Sequence, residues 1–492
     1  MHTENGISVS INPTMTNKTL NRLLLFLSFL AFVFHFGQIH PLVPFDTDDW
    51  MNMSIVRPLY PSLNWWNPTK VFPERLEPAV AMFAVRFLVP IIGDYINALI
   101  LANAIVVSFF ISCYLYFVYK LLYDKFRLSS LCYFCILAIF VLLHFLLLKT
   151  KETGNDHLLY AEDCNCYYHY IIPNLLCSCL VLWLMRHDSW DWKNYIQTTI
   201  IILVTYLALC SNLYSTVILI AYIGAKLLYD LFECNKKERR WLSLYIKQHA
   251  YCIIVLFLWL IVQLIEVNGI RANAYGHVND PLAEMVLSTI KSSFAVQFNI
   301  GVVFFAALTF LSAKILDFIS GRQPFFHIGK RQIVIVLAAI LSFFYLVLLS
   351  SKVKPENMQK GEVIFSYAFF ILLLLILCVG YLCSRIKGLR YFLPLLILLV
   401  TFNIRNVRST FLGVQCLWGI TEYECIVHDR NFIDQARYAE ALGQDSVTIL
   451  VPKFDLKDNW PLAFDSSEGI CATLSKHFVI KRYIKSEFKL QE

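Results

Sequence analysis

Residues 20–50 read LNRLLLFLSFLAFVFHFGQIHPLVPFDTDDW, and this stretch indicates both a membrane fold and a place for chemistry. Its apolar run is long enough for an α-helix that crosses a bilayer, which needs about 20 residues. No small-residue cleavage site follows, so we expect a retained signal anchor. Asp46, Asp48 and Asp49 then place three carboxylates just beyond the run. Because ionisable groups beside a bilayer are costly, such a cluster usually marks a functional site.

The composition extends the membrane assignment to the whole chain. Of its 492 residues, 58% are hydrophobic and 16% are charged, and the mean hydropathy is +0.59. Soluble proteins carry about 25% charged residues. We therefore predict an all-α polytopic membrane protein with about eleven transmembrane helices. The apolar segments that we expect to span lie near residues 20–39, 97–120, 129–149, 169–186, 195–210, 213–232, 249–267, 293–313, 332–350, 362–383 and 390–412.

The distribution of Lys and Arg predicts the orientation. Alternate short loops are rich in these residues, and such loops usually face the cytoplasm. Residues 1–19 are then a cytoplasmic N-terminus, and the acidic cluster lies outside, with the C-terminus. Lys352, Lys354 and Lys360 go against this trend. The net charge of +7 belongs mostly to the cytoplasmic loops, so it indicates no nucleic-acid partner.

Two regions outside the spans carry most of the expected structure. The first external loop, 40–96, is rich in Pro and Trp, and its residues 76–92 are predicted to form an interfacial helix within a transmembrane domain of residues 20–412. Residues 413–492 are predicted to form a small extracytoplasmic α/β cap. In it we expect a helix over 432–442, a strand over 447–451 and a second strand over 478–483.

The acidic cluster has two chemical roles to offer and one structural alternative. One of Asp46, Asp48 and Asp49 could act as a general base on an acceptor hydroxyl. Asp48 and Asp49 could instead hold a divalent cation such as Mg²⁺ or Mn²⁺. The structural alternative is a helix N-cap before Trp50. A cap alone is expected to need only one of these residues, which favours function.

Cationic side chains on the same face are candidates for binding an anionic group. Arg suits bidentate contact with phosphate. Ordinary lipid headgroup contact and internal ion pairing are the alternatives. Arg405 and Arg408 are three positions apart at the external end of the last span, so they share one helical face. The other candidates are Arg57 and Lys70 in the first loop and Arg271 in the turn Asn268-Gly269-Ile270-Arg271.

The layout resembles the GT-C superfamily of membrane glycosyltransferases, in particular bacterial O-antigen glucosyl transferase-like proteins. The resemblance rests on the motif Asp46-Thr47-Asp48-Asp49-Trp50, the long first loop, the turn that ends in Arg271, the many spans and the short C-terminal cap. It implies an enzyme of the plasma (inner) membrane that takes a sugar from a polyprenyl-phosphate carrier. The acceptor would be an extracytoplasmic glycan or lipid-linked molecule. The chain also lacks a nucleotide-binding signature, which agrees with a lipid-linked donor.

The same resemblance implies roles for the candidate residues. Asp48 or Asp49 would be the base, and Arg271, Arg405 and Arg408 would hold the phosphate leaving group. Trp65 and Trp66 would stack on sugar faces, and Trp50 and Asn268 are further candidates for sugar or acceptor binding.

Two other functions remain open. A flippase or transporter of lipid-linked saccharides would need charged residues inside a central cavity, whereas the spans here carry few. A polysaccharide polymerase would carry its large external loop late in the chain, whereas the large loop here comes first.

Overall fold

A computed structural model describes the chain in twelve segments: residues 13–54, 71–126, 128–148, 157–161, 163–187, 194–233, 241–267, 281–320, 330–401, 416–417, 420–455 and 457–491. Most of the described residues are helical. Several predicted site residues lie outside the described residues, namely Arg57, Trp65, Trp66, Lys70, Asn268, Arg271, Arg405 and Arg408.

Seven described helices are long and apolar enough to cross a membrane, and a bent pair could add an eighth. The bent pair joins Trp241–Gln248 to Ala250–Glu266 at an angle of 72°. The seven candidate spans are Thr19–Ile39, Tyr95–Lys125, Cys164–Arg186, Leu213–Glu233, Ile300–Ile319, Lys330–Val353 and Gly361–Arg385. Helices of this number, length and apolarity are consistent with a polytopic membrane protein.

The predicted number of about eleven spans is not established. Three apolar helices at predicted positions are shorter than the roughly 20 residues that a span needs. They are Ser130–Leu146, Tyr195–Leu209 and, in its described part, Leu389–Thr401. A separate helix, Leu282–Phe294, also precedes the span at Ile300. The segment predicted at 293–313 therefore begins later than expected.

The core of the bundle forms around Gly361–Arg385, which is buried along almost its whole length. Lys330–Val353 packs beside it and also against Leu213–Glu233. Tyr95–Lys125 packs against the N-terminal helix Pro13–Phe34 and against Ile172–Arg186. Helices are suited to this environment because they satisfy their own backbone hydrogen bonds where water is absent.

The expected helix of the first loop is present but is longer than predicted. It comprises Val71–Phe83, a π-helical turn Ala84–Leu88 and Val89–Ile92. It ends at Gly93, whose left-handed φ of 78° suits a residue without a Cβ atom. Its packing against Tyr95–Lys125 brings the loop helix back onto the bundle.

The C-terminal segment forms a small α/β unit. Residues Cys416–Leu417 and Ile420–Thr421 pair as an antiparallel hairpin, and helix Glu422–Ala441 follows. Strand Ser446–Val451 then pairs in parallel with Lys485–Leu490, in the register Ser446 to Lys485. A parallel pair needs a crossover, and helix Glu468–Lys476 lies within it.

The first predicted strand of this unit is confirmed, and the predicted helix is present but begins ten residues earlier, at Glu422. The second strand is placed wrongly. The apolar run 478–483 predicts a strand, whereas the strand is Lys485–Leu490. Phe478 has a φ of 60° directly after helix Glu468–Lys476, so the chain turns there before it becomes extended.

The C-terminal unit packs directly on the acidic segment. The backbone N–H and the hydroxyl of Thr47 donate to the carbonyl of Pro461 at 3.1 and 3.0 Å. The ring of Phe45 contacts the rings of Phe432 and Phe454. The hydroxyl of Thr473 donates to the carbonyl of Trp50. The acidic motif is thus enclosed between the helix bundle and this unit.

Candidate functional site

The acidic motif forms a short helix, Thr47–Asn52, directly after the first span. Asp46 is its N-cap, and its carboxylate accepts from the backbone N–H of Asp48 at 2.6 Å. Asp49, three positions later, completes a capping box through the backbone N–H of Asp46. The sequence itself therefore fixes the start of this helix.

The carboxylate of Asp49 also ties the helix to a distant segment. It accepts from the backbone N–H of Phe45 at 3.0 Å, of Asp46 at 3.2 Å and of Asn165 at 2.6 Å. The N–H of Cys164 is a fourth donor, at 3.4 Å. Asp49 is 1% exposed. It thus clamps the acidic segment onto the start of the span Cys164–Arg186.

The expectation that a cap needs only one acidic residue is wrong. The capping box uses the carboxylates of both Asp46 and Asp49, and both residues are buried. Their positions are therefore explained by local structure. Asp48 is left as the carboxylate of the motif without a capping role.

Asp48 is the exposed member of the motif. Its backbone N–H contacts Asp46, but its carboxylate makes no hydrogen bond or ion pair with any described residue. An exposed carboxylate on a helix whose neighbouring residues Thr47, Asp49 and Trp50 are buried can accept a proton from a bound molecule. Of the three predicted catalytic residues, Asp48 is the one placed to do so.

Further carboxyl groups lie close to the motif. Burial raises the pKa of Glu77 well above its usual range, and the negative charges of Asp49 and Asp163 add to that rise. Glu77 is 2% exposed, and neither of its carboxyl oxygens has a hydrogen-bond partner among the described residues. Burial also raises the pKa of Asp49, as does the charge of Asp163, while the backbone donors oppose the rise. The site therefore holds several carboxyl groups close together, and each makes ionisation of the others less favourable.

Trp50 is fully buried, so its indole lies among protein side chains. A polar neighbour is Asp429 of the C-terminal unit, which is also fully buried. Burial and the charge of Asp49 raise the pKa of Asp429, and the nearby indole N–H of Trp50 offsets part of this rise. The indole N–H and the Asp429 carboxylate are close but do not meet the geometric criteria of a hydrogen bond. A sugar contact by Trp50 would require this packing to open.

Lys360 brings a positive charge to the acidic site. It precedes the span Gly361–Arg385. Burial raises the pKa of Asp163, and hydrogen bonds from Cys166 and, less strongly, the charge of Lys360 oppose that rise. In the sequence, Lys360 stands out only because it lies in a loop that the distribution of Lys and Arg predicts to be outside. Glu77, Asp163 and Asp429 were also missed as members of the site, because they are distant from Asp49 along the chain.

The described residues do not fit the predicted divalent cation. Both oxygens of Asp49 already accept backbone N–H groups, which a metal ion would have to displace. Among the described residues, no group of three or more His, Cys, Asp or Glu side chains is arranged to hold a metal ion. We therefore derive no step through a metal.

Asp48 is thus an exposed carboxylate beside buried carboxyl groups, close to the end of a candidate membrane span. Comparisons of the chain with protein-family models, curated proteins and solved structures gave no match.

Proposed function

We propose that the chain is a membrane glycosyltransferase, similar to the GT-C superfamily, that takes its sugar from a polyprenyl-phosphate carrier. The observation that carries the proposal is the exposure of Asp48 on a helix whose other carboxylates are buried and held by backbone donors. A membrane-spanning helix, Thr19–Ile39, ends just before it. A carrier lipid could therefore present its head to Asp48 from the bilayer.

In the proposed reaction, the carboxylate of Asp48 accepts the proton of an acceptor hydroxyl. The hydroxyl oxygen forms a bond to the anomeric carbon, and the bond from that carbon to the phosphate oxygen breaks. Polyprenyl phosphate leaves with the bonding electrons. General-base assistance of this kind contributes about 10²- to 10⁴-fold to a rate.

The buried carboxylates support this role by positioning Asp48. Asp46 and Asp49 fix the first turn of its helix, and the C-terminal unit fixes the last. Catalytic groups need such support because a small displacement of the group lowers the reaction rate strongly. Asp46 and Asp49 are thus positioning residues in this proposal.

The leaving phosphate requires cations, and Lys360 is the described candidate near the acidic site. Arg57, Lys70, Arg271, Arg405 and Arg408 remain predicted partners of the phosphate. Trp65, Trp66 and Asn268 remain predicted contacts of the sugar or acceptor.

The charges at the other end of the bundle support an extracytoplasmic site. Helix Tyr95–Lys125 starts beside Asp94, which pairs with Arg430 of the C-terminal unit at 3.1 Å. The helix ends at a basic group that includes Lys226 and Lys330. Since basic ends usually face the cytoplasm, we assign Asp48 to the outer face of the plasma membrane.

The test is sugar transfer by the purified chain from synthetic polyprenyl-phosphate sugars. Asp48→Asn should reduce the turnover about 10²-fold or more. Asp455→Asn, which changes an exposed carboxylate of the C-terminal unit, is the matched control and should leave turnover unchanged.

Full turnover by Asp48→Asn would refute the assignment of the base. If no donor is turned over and labelled lipid-linked saccharide crosses proteoliposome membranes instead, the chain is a flippase.

A further inference from the structure

A cavity lies between the helix ends on the side of the bundle opposite to Asp48. Its volume is about 340 Å³, within the range of small-ligand sites. Asn103 donates to Cys164 beside Asp49. Lys125 lies 22 residues further along the same helix, Tyr95–Lys125, which is about 33 Å at 1.5 Å per residue. The cavity is thus separate from the proposed catalytic site.

Four cationic side chains line this cavity: Lys125, Lys226, Lys330 and Arg331. The described lining contains no carboxylate of its own. Asp230, beside it, balances part of the charge, since it lies 2.7 Å from the ammonium group of Lys330 and 3.6 Å from that of Lys226. The described side chains that line the cavity are thus basic, polar or apolar, and Asp230 pairs with two of the four cations from outside the lining.

The same cavity has an apolar wall. Met185 and Tyr222 are buried and line it together with the cations. Met185 lies at the end of Ile172–Arg186, whereas Tyr222 lies near the middle of Leu213–Glu233. A ligand that suits this lining combines an anionic group with an apolar part.

We propose that this cavity binds the phosphate group of an anionic phospholipid headgroup. The ligand chemistry is a phosphate ester, and Arg331 is suited to bidentate contact with its oxygens. Lys226 and Lys330 add ammonium donors.

A membrane lipid fits better than a free phosphate ion for two reasons. Lys125, Lys330 and Arg331 lie at the ends of apolar helices, where we expect the headgroups of the bilayer. The apolar wall of the cavity would contact the glycerol and upper acyl chains, which inorganic phosphate lacks. Basic pockets between transmembrane helices on the cytoplasmic side commonly bind anionic headgroups.

The experiment is native mass spectrometry of the full chain from nanodiscs that contain equal amounts of phosphatidylglycerol and phosphatidylcholine. We expect the wild-type chain to retain phosphatidylglycerol preferentially. The triple variant Lys226→Gln, Lys330→Gln, Arg331→Gln should bind it about 100-fold more weakly, because each basic residue near the surface contributes roughly a factor of five.

The matched control removes three lysines outside the cavity lining, with the same change in charge: Lys352→Gln, Lys354→Gln, Lys387→Gln. It should bind as the wild-type chain does. If the triple variant fails to fold, the single variant Arg331→Gln takes its place and should bind phosphatidylglycerol roughly fivefold more weakly than the wild-type chain does.

Equal retention of the two lipids by the wild-type chain would overturn the proposal, as would unchanged binding in a folded cavity variant. Displacement of the lipid by millimolar inorganic phosphate would overturn the lipid assignment and indicate a soluble phosphate ligand. Because the readout is binding, none of these results depends on sugar transfer.

Discussion

The two ends of the helix bundle differ in the sign of their charged groups and in how deeply these groups are buried. At one end, Asp46, Asp49 and Glu77 are buried, and backbone donors hold the first two. At the other end, the side chain of Lys330 is 43% exposed beside an open cavity. Long cationic side chains can reach water from a helix end. A buried carboxyl group must instead accept backbone donors, as Asp46 and Asp49 do, or keep its proton, which the raised pKa of Glu77 favours. The acidic end is therefore held together by buried carboxyl groups, whereas the cations of the basic end line a cavity that is open to solvent.

This difference predicts unequal costs of substitution at the two ends. Changes that remove a buried carboxylate or crowd the backbone at the acidic end should be costly. Changes to charges at the basic end should cost little.

The largest effect on stability is expected for Asp49→Ala. The change leaves up to four backbone N–H groups without their acceptor in a buried site, which should lower the free energy of unfolding by at least about 3 kcal/mol. Detergent-denaturant titration monitored by circular dichroism measures this loss. A loss below about 1 kcal/mol would show that the clamp does not stabilise the acidic end.

A smaller but still clear effect is expected for Gly361→Ala. A Cβ atom at position 361 would lie 2.6 Å from the carbonyl oxygen of His157 and 2.8 Å from its carbonyl carbon. Because both atoms are backbone, the helix or the loop must shift, at a cost of about 1–3 kcal/mol.

Gly388→Ala is the matched control for this prediction at the basic end. A Cβ atom added at position 388 would have no neighbouring atom within 4 Å, so no loss of stability is expected. The same titration compares both variants, and equal losses would contradict the difference between the ends.

The buried Glu77 should make stability depend on pH. Its pKa is raised above the usual value of 4.5, so the native state holds a proton that the unfolded state releases. Native stability should therefore fall as the pH rises from about 4.5 through the raised pKa, with a slope of at most about 1.4 kcal/mol per pH unit. Glu77→Gln should make this slope less steep by removing the contribution of Glu77, while Asp49 and Asp429, whose pKa values burial also raises, keep theirs.

The measurement is the melting temperature of both proteins, taken from about pH 5 to about pH 9. Glu356→Gln, at an exposed position, is the control and should keep the wild-type slope. Parallel pH profiles of wild type and Glu77→Gln would contradict the prediction.

The smallest effect is expected at the basic end for Asp124→Asn. Its carboxylate lies 2.6 Å from Arg186 Nε, but its side chain is 43% exposed. Exposed pairs contribute only about 0–1 kcal/mol, so the titration should show a change within that range. A loss as large as that of Asp49→Ala would remove the distinction between the two ends.

The sequence predicts those features of the fold that depend on neighbouring residues. Apolar runs locate most helices, and the motif from Asp46 to Trp50 predicts a helix start that the structure confirms. The count of spans is less certain because several apolar helices, such as Tyr195–Leu209, are too short to cross unaided.

The composition of the acidic site could not be predicted in the same way. Asp49 meets Cys164 and Asn165 across more than a hundred residues, and Asp429 arrives with the C-terminal unit. No local pattern encodes these contacts. The division of roles between Asp48 and Asp49 depends on them, because only tertiary packing buries one carboxylate and exposes the other.

The central claim is that Asp48 performs chemistry while Asp49 holds the site together. Its most direct test measures turnover and melting temperature on the same preparations of Asp48→Asn and Asp49→Asn. Asp48→Asn should keep the wild-type melting temperature and lose transfer activity, whereas Asp49→Asn should lower the melting temperature. Full activity in Asp48→Asn, or equal destabilisation by the two changes, would contradict the claim.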